Sequence, residues 1–96
     1  MRTRDVRRIM QTGHPLHGRR VVLFLAPGTG GSAVIAGRKI GGAVQRNRSR
    51  RILREAWRVV APLAGPDDDV VLVARAAIAG AGTQDLVAEM TELLNR

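Results

Sequence analysis

Apolar residues near the N-terminus recur at the spacing of one helix face. Val6, Ile9 and Met10 stand at positions i, i+3 and i+4, which predicts a short helix over about residues 4–12 with one apolar side. Thr3 precedes this pattern, and threonine is a residue type that caps helix N-termini. We therefore expect the Thr3 hydroxyl to cap the first helix.

Three later segments have the composition of β-strands. Residues 19–26 (RRVVLFLA) and 32–37 (SAVIAG) flank the turn sequence Pro27–Gly31, so they are predicted to pair as a hairpin. Residues 13–18 are predicted to be irregular or briefly extended. The apolar run within residues 67–76 (DDDVVLVARA) is typical of a strand buried on both faces.

Helical spacing returns twice in the second half of the chain. A long helix is predicted from about Gly42 to Val60, and it must stop near Pro62. A last helix is predicted to start at a Thr83 cap, and its apolar stripe consists of Leu86, Val87, Met90, Leu93 and Leu94. The residues alone thus predict the order α, β, β, α, β, α in one domain spanning residues 1–96.

Composition limits the compartment and the kinds of site. The chain has no cysteine, which excludes disulfides and thiolate metal sites and suits a reducing compartment. No segment reaches the ~18 apolar residues of a membrane span, and no apolar run follows the N-terminus. We expect a cytoplasmic protein without a targeting segment or a membrane partner.

The net charge of +8 is divided unevenly along the chain. Residues 1–20 carry six arginines and one aspartate, and residues 38–58 carry eight basic residues and one glutamate. Residues 59–96 instead carry six acids and two arginines. Because the signs are not mixed within the basic blocks, a polyanionic partner is predicted, with nucleic acid favoured over an anionic membrane.

The predicted long helix separates apolar from basic residues. At 100° per residue its core-facing stripe consists of Ile52, Leu53, Ala56, Trp57 and Val60. Its other side consists of Asn47, Arg50, Arg51, Arg54 and Arg58. Like charges at i, i+4 cost roughly 0.2–0.5 kcal/mol per pair, so a helix that needed only solubility would interleave glutamates. The preference for arginine over lysine, fifteen to one, favours a phosphate-bearing partner.

The segment before this helix adds a second feature. The stretch GRKIGGAV (37–44) puts Arg38 and Lys39 after a predicted strand and two glycines at the helix start. Backbone N–H groups at a helix N-terminus suit a phosphate, although a plain tight turn explains the same residues.

Residues that carry catalysis in other proteins are few. His14 and His17 are candidates for acid–base work, but surface histidines in a loop explain them as well. The aspartates at 67–69 suit Mg²⁺ or, alternatively, a polar loop before a buried strand. Trp57 is interpreted as a core residue. We predict no catalytic residue and no metal ligand in this chain.

The stretch GRKIGGAVQRNRSRRILREAW (37–57) resembles the signature region of the protein subunit of bacterial ribonuclease P. That family has a basic lead-in ending in G-x-A-V, then R-N-R, then a basic run ending in R-E-A and an aromatic residue. The likeness extends more loosely from RDVRRIMQTG through RRVVLF to VVLVAR and the last helix.

The resemblance implies an α+β fold, an α-β-β-β-α-β-α sandwich similar to one domain of a ribosomal protein. It implies a left-handed β-α-β crossover around the R-N-R helix and a further strand from about residues 14–19. It also implies a subunit of an endoribonuclease whose large catalytic RNA binds Mg²⁺ and removes the 5′ leader of precursor tRNA. The protein would be a monomer within that holoenzyme and inactive alone.

The resemblance also implies roles for particular residues. Contact with the catalytic RNA is expected from Arg38, Lys39, Arg46, Asn47, Arg48, Arg50, Arg51, Arg54 and Arg58. A cleft between the first helix and the sheet, holding the single-stranded leader, is expected to be lined by Val6, Met10, Phe24 and Val34. The family usually has aromatic residues where this chain has Val6 and Met10, so leader binding would rely more on apolar contact and charge.

A second interpretation is a basic RNA-binding module of ribosomal-protein type, without associated catalysis. It explains the arginines equally well but not the whole lead-in and R-N-R pattern. Under the first interpretation, replacing Arg46 and Arg48 by alanine should weaken RNA binding and leave the fold largely intact.

Overall fold

The computed structural model describes all 96 residues as one α+β domain with three helices and a four-stranded sheet. The elements are helix α1 (Thr3–Thr12), strands β1 (His14–His17), β2 (Val21–Pro27) and β3 (Ser32–Ile35), helix α2 (Ala43–Val60), strand β4 (Asp68–Ala74) and helix α3 (Thr83–Leu94). This order confirms the α-β-β-β-α-β-α architecture. No helix is both long and apolar enough to cross a bilayer.

Strand β1 is the element that the residue pattern alone did not predict. It pairs antiparallel with β2, with His14 opposite Leu25 and His17 opposite Val22. It lies at one edge of the sheet. Proline has no N–H to donate, and an edge strand tolerates it because one side of the strand has no neighbouring strand to bond. The extra strand implied by the family resemblance is therefore confirmed.

The predicted hairpin of the second and third strands is wrong. The sheet order is β1-β2-β4-β3, so β4 lies between β2 and β3. It runs antiparallel to β2 and parallel to β3. The Asp69 carboxylate at the start of β4 accepts hydrogen bonds from the Thr29 and Gly31 N–H groups, at 3.1 and 2.8 Å. The glycine-rich loop thus crosses the start of β4 and is hydrogen-bonded to it, so β3 does not turn back to pair with β2.

The two predicted threonine caps are also wrong, for one shared reason. Thr3 and Thr83 are the first helical residues, one position after the caps. In each helix an aspartate in the first turn accepts the N–H of the cap residue: Asp5 in α1 at 3.1 Å and Asp85 in α3 at 2.8 Å. The Thr83 hydroxyl instead donates to Glu55 Oε2 at 2.9 Å and so joins α3 to α2.

The larger core fills the space between one sheet face and helices α2 and α3. Its members come from β2, β4 and the apolar stripes of both helices, including the fully buried Leu23, Leu53, Leu72 and Leu86. A parallel β-α-β unit, β3-α2-β4, brings α2 onto this face. The left hand of this crossover stays a prediction from the family resemblance.

The second sheet face is covered by α1 alone. Ile9 of α1 packs on Ala26 and Val71, next to Val6 and Phe24. Because α1 packs mainly against β2 and β4, this face is incompletely covered towards the carboxyl ends of β3 and β4. A partly open apolar surface is the result.

Candidate nucleic-acid interface

The basic side of α2 is solvent-exposed except for the half-buried Arg50, and it is almost without counter-charges. We define the arginine face as Asn47, Arg50, Arg51, Arg54 and Arg58. Its one ion pair joins Arg51 to Glu55 of the same helix, at 3.5 Å between exposed groups. The Arg50 guanidinium donates to the Asn47 side-chain oxygen at 2.9 Å, while Arg54 and Arg58 have no ion-pair partner. The face therefore has an excess of positive charge in the free protein.

Five of the six acids of the C-terminal third have partners outside α2. Asp69 holds the glycine-rich loop and lies 3.9 Å from Arg8. Glu89 accepts the backbone N–H of Arg20 at 2.8 Å and pairs with its guanidinium at 3.4 Å. Glu92 of α3 pairs with Arg96, two residues beyond the end of that helix, at 3.3 Å. No carboxylate of this region forms an ion pair with a basic residue of α2.

The two arginines of the R-N-R motif lie in different surroundings. The Arg48 guanidinium turns towards α3 and donates to the Ala81 carbonyl oxygen at 2.6 Å. Arg46 is half-buried near the start of α2 and donates no side-chain hydrogen bond to protein. Only Arg46 therefore has a guanidinium without a hydrogen bond to protein, a difference that the sequence did not indicate.

Arg38 and Lys39 lie just before α2 in a 3₁₀ turn, Arg38–Ile40, and both are exposed. Gly41 follows with φ of +128°, a conformation that side-chain-bearing residues rarely adopt. This turn places the two cations beside the N-terminus of α2, where backbone N–H groups are unsatisfied.

A cavity of about 660 Å³ opens at the carboxyl ends of β3 and β4. Ile35, Val73 and Ile40 give it apolar walls, and Arg38, Lys39 and Arg75 give it three cations. Arg75 was not predicted as a functional residue. Arg75 comes beside Arg38 and Lys39 because β3 pairs parallel with β4, whereas the predicted hairpin of β2 and β3 does not bring these residues together.

The four residues expected to line the leader cleft do not all reach it. Val6 and Phe24 pack on the α1 side of the sheet, and Met10 is 37% exposed on α1. Val34 is wrong for this site because it pairs with Leu72 and faces the α2 side. Since strand side chains alternate between faces, its neighbours Ala33 and Ile35 occupy the α1 side instead.

The residues considered for catalysis do not form a site. His14 and His17 are exposed on the edge strand β1. Asp68 accepts the Gly65 N–H at 3.2 Å, and Asp69 accepts the Gly31 N–H at 2.8 Å, so both carboxylates are hydrogen-bonded to backbone groups of loops. No three His, Asp or Glu side chains lie close enough together to hold a metal ion.

Comparison with known proteins places the whole chain in one family. The family model described as Ribonuclease P matches residues 1–96. The ribonuclease P protein component of Acidothermus cellulolyticus is 34% identical over 101 residues, covering 99% of this chain and 83% of that protein. The Caulobacter vibrioides protein component is 55% identical over 51 residues, which are 52% of this chain but only 32% of that protein. The match to the Chloroflexus aggregans protein component is 42% identical over 64 residues, and it too covers less than half of that protein, 47% of its length.

Solved structures agree on the fold. The ribonuclease P protein of Thermotoga maritima superposes with a TM-score of 0.82 at 24% identity, over 100% of this chain and 94% of that one. The Staphylococcus aureus protein superposes with a TM-score of 0.81 at 22% identity, over 99% and 90% of the two chains. From the family match over its full length, its relatives and its fold, this chain belongs to the bacterial ribonuclease P protein components.

Proposed function

We propose that this chain is the RNA-binding protein subunit of ribonuclease P, and that it assists a catalytic RNA in removing the 5′ leader from precursor tRNA. The observation that carries the proposal is the arginine face of α2, whose positive charges are not balanced by the acids of the C-terminal third. A folded RNA would supply the missing anions. The endoribonuclease is then the ribonucleoprotein, and the protein alone is inactive.

The catalytic RNA binds along α2 and the turn before it. Arg50, Arg54 and Arg58 succeed one another at i, i+4, so their guanidinium groups form a row that follows a phosphate backbone. Arg46, one turn before Arg50, extends this row to the first turn of α2. Arg38 and Lys39 lie just before the helix N-terminus, where free N–H groups favour phosphate. Arg48 and Arg51 contribute charge next to the row, with part of each guanidinium already engaged.

The leader binds on the other side of the sheet, between α1 and the open ends of β3 and β4. Phe24, Ile35 and Val73 are half-buried and give this surface an apolar floor, with Val6 and Met10 on α1 beside it. Phe24 is its one aromatic residue, so unpaired bases are held mainly by apolar contact. Arg38, Lys39 and Arg75 at the far end would bind the leader's phosphates.

The division of labour follows from which groups the chain offers. Hydrolysis is carried out by the RNA with Mg²⁺ held mainly by the RNA and the substrate, since this chain has no group of carboxylates placed to hold the ion. The protein raises affinity for Mg²⁺ indirectly, because its guanidinium groups reduce repulsion between phosphates that the ion must bridge. It acts as a monomer within the holoenzyme in the cytoplasm.

Reconstitution with a ribonuclease P RNA tests the proposal. We expect the purified protein to leave precursor tRNA uncut, and to lower the Mg²⁺ concentration at which the RNA cuts it. If about four to six phosphates are neutralised, log K for the RNA should fall with log salt at roughly −0.7 to −0.9 per phosphate. Cleavage by protein alone would refute the proposal. Unchanged RNA activity at limiting Mg²⁺ would favour the ribosomal-type binding module instead.

A further inference from the structure

A smaller cavity lies on the opposite side of the sheet from the proposed leader surface. It has a volume of about 230 Å³ and lies between α2 and the edge strand β3. Its walls are Ser32, Val34, Arg54, Trp57, Arg58 and Leu72. Ligand pockets for whole small molecules usually measure roughly 300–1,000 Å³, so this cavity suits a single flat ring system.

Trp57 belongs to both the core and this cavity. It is half-buried, and its ring packs in part against the main core and in part lines the cavity. Its indole N–H donates to no protein atom and is not enclosed, so it is open to solvent in the free protein and available to an acceptor on a bound molecule. A molecule that covered this N–H would have to supply an acceptor, because tryptophan N–H groups usually find one when they are buried.

Two uncompensated guanidinium groups border the same cavity. Arg54 and Arg58 are exposed, lie one turn apart on α2 and have no carboxylate partner. An aromatic ring beside two arginines is the combination that holds an unpaired nucleotide, because the base stacks while the arginines bind its flanking phosphates.

We propose that this cavity binds one unpaired nucleobase of the catalytic RNA, in contact with Trp57, and that Arg54 and Arg58 bind the adjoining phosphates. The inference rests on the proposed function and deepens it. The base comes from the catalytic RNA and not from the leader, because Val34 and Leu72 lie on one sheet face while Ile35 and Val73, on the leader surface, lie on the other. Trp57 then has a binding role in addition to its place in the core.

The fluorescence of the full-length protein reports on this site directly, because Trp57 is the only tryptophan. Titration with ribonuclease P RNA should quench the emission in step with binding measured independently by filter retention. A single-stranded leader oligonucleotide should leave the emission unchanged. Binding of the RNA without any change of emission, or quenching by the leader alone, would overturn the proposal.

Variants separate stacking from charge. Trp57→Leu fills much of the core volume and should lower RNA affinity about 5- to 150-fold, the effect of losing one base–aromatic stack, without changing the salt slope. Trp57→Phe should recover most of that loss. Arg54→Ala should reduce the slope of log K against log salt by about 0.9, while Arg96→Ala, just beyond the acidic helix α3, should not.

Controls keep these outcomes distinct from a folding defect and from failure of the proposed function. Urea denaturation of each free variant shows whether it folds, and the quenching of the unmodified protein needs no variant at all. If the RNA binds tightly, and folded Trp57→Leu binds it as well as the native chain does, the nucleobase site is refuted and the proposed function stands. If the RNA does not bind the native chain, the proposed function itself fails.

Discussion

At the scale of single residues, the R-N-R motif shows that neighbouring identical side chains need not do the same work. Arg48 donates to the carbonyl of Ala81, which is 5% exposed, so it fastens α2 to the segment that leads into α3. Arg46 makes no side-chain hydrogen bond to protein. The expectation that both can be replaced without effect on the fold therefore applies to Arg46 only.

Arg48→Ala should lower the free energy of unfolding by about 1 kcal/mol, the net contribution of one hydrogen bond, because the Ala81 carbonyl oxygen loses its donor. Arg46→Ala should stay within about 0.5 kcal/mol of the native value. Urea denaturation measures both. Arg48→Lys is the matched control: it keeps the charge, so the salt slope of RNA binding should persist while the stability loss remains. Equal stability of the two alanine variants would contradict this assignment.

The sequence predicts the features that depend on residues close together in the chain, and it does not predict contacts between distant residues. The helical spacing around Ile52 and Arg54 depends on neighbours within two turns, so the two sides of α2 were predicted correctly. The partner of Arg48 lies 33 residues away, and nothing in the motif indicates it. The same holds for Asp69, which was considered as a Mg²⁺ ligand or a loop cap and proves to bind the glycine-rich loop.

At the scale of elements, α2 has two conflicting tasks. Its buried residues Ile52, Leu53 and Ala56 join the main core, while its opposite side keeps like charges one turn apart. The core contacts hold the helix in place despite the repulsion. Removal of that repulsion should therefore favour folding and disfavour RNA binding, so the two properties can be separated by one substitution.

Arg54→Glu should raise the free energy of unfolding by roughly 1 kcal/mol, since it converts two repulsive i, i+4 pairs, with Arg50 and Arg58, into attractive ones. RNA affinity should fall, and the salt slope should decrease by at least about 0.9. Arg54→Gln is the control, with about half of the stability gain. Urea denaturation and RNA titration on the same samples provide the measurements. A variant that loses stability would mean that Arg54 holds the fold together.

The strand pairing marks the limit of prediction at this scale. The turn sequence Pro27–Gly31 indicates a hairpin, but that signal is local and says nothing of β4, forty residues further on. The buried run of β4 belongs in the sheet interior because both its faces are apolar, and it displaces β3 to the edge. Val34 was wrongly predicted to line the leader cleft for a related reason. The sheet face on which a β3 side chain lies is fixed by the pairing of β3 with β4, which the sequence did not reveal.

At the scale of the whole molecule, the two sides of the sheet present different surfaces to an RNA partner. One side carries α2 with its arginine face and the Trp57 cavity. The other carries α1 and the apolar surface that ends at Arg38, Lys39 and Arg75. Since Arg38 and Lys39 lie immediately before α2, they adjoin both surfaces, and the proposed function brings the leader and the catalytic RNA together there.

The overall charge of +8 leads to a last prediction, on the free protein. Raising NaCl from about 0.01 M to about 0.15 M shortens the Debye length from roughly 30 Å to 8 Å and screens repulsion among the basic residues. The structure has only four ion pairs, and in two of them, Arg51–Glu55 and Arg96–Glu92, both partners are exposed, so little attraction is lost in exchange. The urea midpoint should therefore rise with NaCl, and it should rise less in Arg54→Glu. A midpoint that falls with salt would show that attractive pairs dominate the folded state and that its cations are already compensated.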